Sequence, residues 1–383
     1  MSAPTHQIAV IPGDGVGPEV VAAGRAVLDT AGEAFGFGID WVEILAGGAA
    51  IDAHGIAIRN EDVAAAGEAV AVLLGAVGGP KWDDPKAAVR PEQALFALRG
   101  GLGLFANLRP VSVHPALVPS SPLRPELLAG VDLLIVRELT GGLYFGARTE
   151  ATGEPGARYA SDTLPYTDAE IRRVARLAFE LARGRRRRLT SVDKANVLAT
   201  SRLWRGIVDE MRPDYPDVEV NHQLVDSCAM LLVKNPAAFD VLVTENLFGD
   251  ILSDEASVLA GSLGMLPSAS LGERRTAHGL FGLYEPIHGS APDIVGRDLA
   301  NPIGTILSAA LLARWSLGRE DVALAIEGAV ARALDAGFRT GDLVPPGGSS
   351  RGITVVGTRA MTAEIVAGIA ITEAARVTAA ANV

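Results

Sequence analysis

Short apolar runs alternate along this chain with longer segments whose apolar residues recur every three or four positions. IAVI is followed by PEVVAAGRAVLDTAGEAF, AVAVLLGAV by PEQALFALRGGLG, and VDLLIVREL, further on, by DAEIRRVARLAFELARG. The alternation returns in LTSVDKA before TSRLWRGIVDEM and in FDVLVTEN before FGDILSDEASVLAGSLG. Short apolar runs fit buried strands and the longer period fits amphipathic helices, so the pattern predicts an α/β protein with a substantially parallel sheet. The chain contains no internal repeat and no long low-complexity linker.

The first run ends in a glycine turn, HQIAVIPGDGVGPEVV. Ile8, Val10 and Ile11 read as a strand, and Gly13-Asp14-Gly15-Val16-Gly17 as a tight turn into a helix that Pro18 starts. This is nearly the dinucleotide fingerprint G-x-G-x-x-G, and Asp40 stands about 20 residues on, where a ribose-binding carboxylate would lie. The final glycine of the fingerprint, however, falls at Pro18. Any tight strand-to-helix turn can use the remaining G-x-G-x-G, because glycine tolerates positive φ.

Composition narrows the class. At 383 residues the chain suits two domains or one large α/β unit, and 49% hydrophobic with 21% charged residues is a globular balance. A net charge of −11 argues against nucleic acid but leaves room for a small anionic substrate held by local arginines. The Arg185-Arg186-Arg187-Arg188 run follows a helix ending near Gly184, and solvated cations there would complement the helix end. The single cysteine, Cys228, excludes an internal disulfide and reads as a small buried hydrophobe. No basic-apolar-small leader pattern and no run of about 18 apolar residues is present, so no membrane association and a cytoplasmic location are expected.

Three constellations carry chemistry. Arg99, Arg109 and Arg137 occupy ALFALRGG, FANLRPV and LLIVREL, and Arg137 ends an apolar strand, where open α/β sheets place ligands. Three guanidinium forks would suit a substrate with two carboxylates, and three separate structural ion pairs would account for them equally well. In NLFGDILSDEAS, Asp250 and Asp254 are four residues apart and share one helix face; Asp226 in QLVDSCAM is a third candidate. Such oxygen ligands suit Mg²⁺ or Mn²⁺, although an acidic helix start explains the pair as well. Tyr144 in a glycine turn and Lys194 near a strand end are candidate proton carriers, or residues of the rim.

In order along the chain, IPGDGVGPE, LLGAVGGPKWD, PEQALFALR, FANLRP, VRELTGGLYFG, SVDKANVL, NLFGDILSDEAS, GSLGMLPSASLG and LYEPIHGSAPDIVG resemble the isocitrate/isopropylmalate family of β-decarboxylating dehydrogenases. The resemblance implies two α/β domains with a largely parallel sheet that is not a Rossmann fold. Residues 1–104 and 262–383 would form the first, with the cofactor loops. Residues 105–261 would form the second, with the dimer interface and the metal and proton-transfer residues. It also implies a homodimer whose active site is shared, with Lys194 and Asp226 supplied by the partner subunit.

The resemblance assigns roles at matching positions. Arg99, Arg109 and Arg137 would bind the malate carboxylates, with Asp226; Asp226, Asp250 and Asp254 would hold Mg²⁺ or Mn²⁺; Tyr144 and Lys194 would handle protons. NAD would lie along Gly78, Gly79, Pro80, Lys81 and Glu92, and along His288, Gly289, Ser290, Ala291, Pro292, Asp293, Ile294 and Asn301. Asp293 would accept from the adenosine ribose and disfavour a 2′-phosphate. The glycine turn and Asp40 would then be decoys, with Gly13 to Gly17 shaping the cleft wall. Glu92, Leu95, Phe96 and Val197 would contact a branched alkyl group and repel a third carboxylate. Phe96 stands where the family usually has leucine. The expected activity is NAD-dependent oxidative decarboxylation of 3-isopropylmalate in leucine biosynthesis. The alternatives are the same chemistry on D-malate, tartrate or homoisocitrate, and a non-catalytic regulatory subunit.

Overall fold

The computed structural model describes residues 4–84, 87–345, 347 and 352–381, the stretch 371–381 by its backbone only. The chain divides into two compact units. One comprises Met1–Leu104, His114–Pro122 and Ala260–Val383; the other comprises Phe105–Val113 and Leu123–Leu259.

The chain begins with β1 (Thr5–Gly13), α1 (Gly17–Phe35), β2 (Gly38–Glu43), α2 (Gly48–His54), α3 (Asn60–Glu68), β3 (Ala71–Ala76) and α4 (Gln93–Gly101). Next come β4 (Ala106–Ser112), α5 (Pro125–Leu128), β5 (Asp132–Glu138), β6 (Arg148–Thr152), β7 (Tyr159–Asp162) and α6 (Asp168–Arg183). They are followed by β8 (Arg188–Asp193), α7 (Ala199–Met211), β9 (Glu219–Leu224), α8 (Val225–Lys234), β10 (Val241–Thr244) and α9 (Asn246–Ser257). The chain closes with β11 (Pro267–Arg275), β12 (Leu280–Pro286), α10 (Ile303–Trp315), α11 (Glu320–Asp335), β13 (Phe338–Arg339), β14 (Thr354–Val355) and α12 (Thr358–Ala381).

In the first unit the strand order is β2-β1-β3-β12-β11. β1 runs parallel to β2 and β3, and β12 parallel to β3, while β11 is antiparallel to β12. On one side of this sheet Ile11, Val72, Leu74, Leu98, Leu104, Phe281 and Leu283 form a closed apolar cluster. Helix α4 joins it through Ala94 and Leu98, which recur at helical spacing. The β11–β12 pair was not legible in the alternation, because PSASLGERR has small and polar residues at buried positions. Residues 114–122 also depart from the expected boundary and pack with the first unit. Ser120 Oγ donates to the Leu343 carbonyl at 2.6 Å and Arg339 Nη2 to the Ala116 carbonyl at 2.9 Å.

In the second unit the order is β4-β5-β10-β8-β9, with only β4 antiparallel. Helix α6 starts at a capping box: Thr167 Oγ1 accepts from the Glu170 amide and the Glu170 carboxylate accepts from the Thr167 amide. In the arginine run after α6, Arg186 and Arg187 are exposed, yet Arg185 and Arg186 are bonded into the fold. Arg185 donates to Asp240 at 2.9 Å and Asp132 at 2.8 Å, and Arg186 donates to the carbonyls of Asp132 and Phe239. These two side chains tie the start of β8 to the start of its neighbour β10 and to β5 beyond it. Cys228 is fully buried and desolvation pushes its thiol up to about 12, which makes it an inert packing residue. Among the described residues, no helix is long and apolar enough to cross a membrane.

Truncating Phe281, which is fully buried in the first unit's cluster, should cost about 3–5 kcal/mol in stability through lost burial and a residual cavity. Urea denaturation of Phe281→Ala would measure it.

Candidate active site

Parallel pairing sets the second unit's site. Thr244 of β10 lies beside Arg137 of β5 and beside Val192 of β8, so the carboxyl ends of three strands coincide. The antiparallel strand β4 brings Asn107 opposite Arg137 at the same end. Immediately beyond these ends come the turn carrying Tyr144, the start of α9 and the residue Lys194.

Asp250 is the meeting point. Its Oδ1 accepts from Arg137 Nη1, and its Oδ2 accepts from the Tyr144 hydroxyl at 2.8 Å. Arg109 Nη2 approaches the same carboxylate at 3.7 Å, and its Nη1 donates to Asp254 at 3.3 Å and to Ser253 Oγ at 2.5 Å. Arg109 Nε donates to Asn107 Oδ1 at 2.7 Å. Arg137 also lies over the Tyr144 ring, 5.7 Å from its centre. Desolvation first, and then the bond to Asp250, push the Tyr144 hydroxyl up to about 12, so it remains a proton donor at neutral pH.

The helix can come this close because residue 249 is glycine. A Cβ there would overlap the Thr244 hydroxyl and lie 2.7 Å from Arg137 Cγ. Buried groups behind the site hold its parts. Arg137 Nε donates to Asn246 Oδ1 at 3.0 Å, while Asn246 Nδ2 donates to the Gly141 carbonyl at 3.1 Å. Glu138, fully buried, accepts from the Thr140 and Gly141 amides and from the Tyr166 hydroxyl. Tyr166 in turn accepts from the Asn246 amide at 3.0 Å. Burial and then Glu138 raise the Tyr166 pKa, keeping it protonated for this role. Glu245 caps α9 by accepting from the Leu247 and Phe248 amides; burial pushes its carboxyl up. The sequence reading passed over Glu138, Tyr166, Glu245 and Asn246. Glu138, Glu245 and Asn246 were signalled only by nearness in sequence to Arg137 and Asp250, and Tyr166 by nothing local.

The three candidate metal ligands do not gather in one chain. Asp226, in the first turn of α8, accepts from Lys194 Nζ, which holds its carboxyl below the usual range. Among the described residues, no three metal-binding side chains form a group able to hold an ion. Asp250 and Asp254 nevertheless suit a hard cation. They project from one helix face as oxygen donors, and Asp254 is pushed up by desolvation, with Asp250 adding to this against the pull of Arg109.

Arg99 belongs to the first unit, where it donates to Glu285 at 3.0 Å. In the same unit, the Gly78–Lys81 loop is anchored by Lys81, which reaches Asp52 of α2 at 2.6 Å. The Glu92 carboxylate lies beside Gly78, whose added Cβ would meet Glu92 Oε1 at 3.2 Å. Leu95 packs partly on the apolar cluster, leaving Phe96 42% exposed. In the second unit, Val197 is 62% exposed. In the 288–294 segment, Ala291 adopts a positive φ of 39° and Asp293 is exposed. His288 Nδ1 bonds to the Gly289 carbonyl at 2.9 Å, while its buried Nε2 has no partner among the described residues. Asn301 bonds to Asp342 at 3.0 Å and caps the amide of Ile303.

The glycine turn is unsuited to a pyrophosphate. Its Asp14, Val16 and Gly17 amides donate to the carbonyls of Ala76, Ser290 and Asp14, at 2.7, 2.9 and 2.9 Å. Donors already committed inside the protein are not offered to a ligand. Asp40 faces Gln7 on the exposed edge of β2.

A non-Rossmann α/β scaffold thus brings arginines, carboxylates and a phenol donor together at its strand ends, and its relatives make it an oxidoreductase. The chain belongs to the isocitrate/isopropylmalate dehydrogenase family, whose model matches residues 7–365. It is 58% identical over 359 residues to the 3-isopropylmalate dehydrogenase of Anaeromyxobacter dehalogenans, covering 94% of this chain and 98% of that one. It is 53% identical over 366 residues to that of Pseudomonas fluorescens, covering 95% and 99%. Among solved structures it resembles the isocitrate dehydrogenase of Methylococcus capsulatus, with a TM-score of 0.82, 33% identity, and coverage of 95% and 99%.

Replacing Tyr166 with phenylalanine removes a donor to buried Glu138 and an acceptor for the Asn246 amide. The expected cost is about 1–3 kcal/mol. A guanidinium denaturation midpoint matching the parent's would show that this network carries no load.

Proposed function

We propose that this chain catalyses the oxidation of (2R,3S)-3-isopropylmalate by NAD⁺ and its decarboxylation to 4-methyl-2-oxopentanoate, a step of leucine biosynthesis in the cytoplasm. The convergence of Arg137, Tyr144 and Arg109 on Asp250, in a chain so similar to named 3-isopropylmalate dehydrogenases, carries this reading. The net reaction turns substrate and NAD⁺ into the 2-keto acid, CO₂ and NADH.

Each side chain has a place in that scheme. Arg109 and Arg137 present fixed positive charge for the substrate carboxylates, and Arg99 of the other unit is proposed as the third such arginine. Asp250 and Asp254, with Asp226 of the partner subunit, would hold Mg²⁺ or Mn²⁺. When bound, such a cation would supply Lewis-acid polarisation of the substrate's hydroxyl and carboxylate oxygens, and NAD⁺ would supply the hydride acceptor. Lys194 of the partner subunit accepts the hydroxyl proton at Nζ. After CO₂ leaves, Tyr144 donates its phenolic proton to C3, the carbon that lost the carboxylate, a role that suits a hydroxyl kept protonated beside Asp250. Glu92, Leu95, Phe96 and Val197 line the place of the isopropyl group. Gly78 to Lys81 and His288 to Ile294, with Asn301, carry NAD, and the unpartnered His288 nitrogen is a group such a ligand would satisfy.

Two features of the second unit support a homodimer. Lys194 and Asp226 pair with each other, and α8 and α9 expose apolar side chains beside Asp226 and Asp254: Met230 is 65% exposed and Ile251 57%. Val233 and Val258 are exposed near them. Large exposed apolar side chains on two adjacent helices suit a second copy packed about a two-fold axis.

NADH formation should be strong with 3-isopropylmalate and weak with D-malate and isocitrate, in Mg²⁺ and NAD⁺; preference for D-malate would move the substrate and keep the chemistry. Lys194→Met should reduce turnover by at least about 10²-fold with NAD affinity retained. Ile251→Asp should shift sedimentation from dimer to monomer and abolish activity. A monomeric parent, or a fully active monomeric variant, would sink the shared site.

A further inference from the structure

The turn that imitates a dinucleotide fingerprint has a different use. Asp14 is 6% exposed, and both of its carboxylate oxygens point inward. Oδ2 accepts from the Gly48 amide at 2.7 Å and from the Gly78 amide at 2.8 Å, and Oδ1 accepts from the Ala49 amide at 2.8 Å. Three donors from two separate segments converge on one charge, and hydrogen bonds to an ionised acceptor are the strong kind. Gly47 keeps this approach open, since a Cβ there would lie 2.5 Å from Asp14 Oδ2.

Its neighbours grip the opposite loop. The Val16 amide donates to the Ser290 carbonyl at 2.9 Å, and Gly15, at φ 59°, lies so close that any Cβ would overlap that carbonyl. Both segments held in this way, around Gly78 and around Ser290, are those assigned to NAD above. None of these contacts requires a ligand.

We propose that Asp14 is a positioning residue for the cofactor: its buried carboxylate fixes the Gly78 loop, and its turn fixes the Ser290 loop, before NAD arrives. The proposal rests on the cofactor reading given under Proposed function. It differs from that reading in placing the decisive charge outside every residue that touches NAD. A pre-set pair of loops spares the cofactor the cost of ordering them, and small misplacements of a bound reactant are expensive in affinity and rate.

Asp14→Asn keeps the size but turns an amide N–H₂ towards a backbone donor. Calorimetric titration with NAD⁺ should show a Kd raised about tenfold or more, and KM for NAD⁺ should rise alike while KM for 3-isopropylmalate stays within about twofold. A general loss of structure would move both. In the parent protein without NAD, hydrogen exchange should find the Gly48, Ala49 and Gly78 amides protected, a measurement that stands even if the variant does not fold. Free exchange of these amides until NAD is added would overturn the proposal, as would an unchanged Kd in Asp14→Asn. If the parent itself gives no titration with NAD⁺, the cofactor reading fails instead, and the exchange data still report whether Asp14 clamps the loops.

Discussion

A guanidinium that is 4% exposed cannot shed its proton, so whatever surrounds Arg137 must answer its charge. That obligation organises the second unit's site. Asp250 supplies the countercharge, Asn246 fixes Nε, and Tyr144 covers the guanidinium and bonds to the same carboxylate. Removing either charge would strand the other in a poorly solvated place. The close packing that makes the pair depends on Gly249 and on the parallel register of Thr244 with Arg137.

Both units satisfy their functional segments from within. In the second, Glu138 and Glu245 accept the free amides of the Tyr144 turn and of the α9 start. In the first, the amides of residues 48, 49 and 78 are taken up by Asp14. Buried carboxylates on backbone amides are an economical way to hold irregular chain still, because each oxygen accepts more than one donor.

The architecture was largely legible because its strands and helices obey their own periods. Helix α9 occupies the segment NLFGDILSDEAS, and β5 ends with Arg137 and Glu138. The candidate residues were legible as types: of Arg109, Arg137, Tyr144, Asp250 and Asp254, the first three meet on the Asp250 carboxylate and Asp254 joins through Arg109. Other parts were hidden. The arginine run reads as a charged surface until Asp132 and Asp240, more than 50 positions away in each direction, are brought beside it by the β5-β10-β8 order. Nothing local announces Tyr166 as the partner of Glu138, 28 residues earlier.

Sequence alone therefore determined the element types, the α/β class and the set of groups able to do chemistry, since these depend on side-chain character and local spacing. It also flagged the flaw in the glycine fingerprint, Pro18 in the place of a glycine. Tertiary structure decided which groups answer one another: that Asp14 faces inward to three amides, that Arg109 and Arg137 share Asp250, and that Lys194 takes Asp226. Such pairings are set by strand order and register, which join residues far apart in the chain, and no local pattern encodes them.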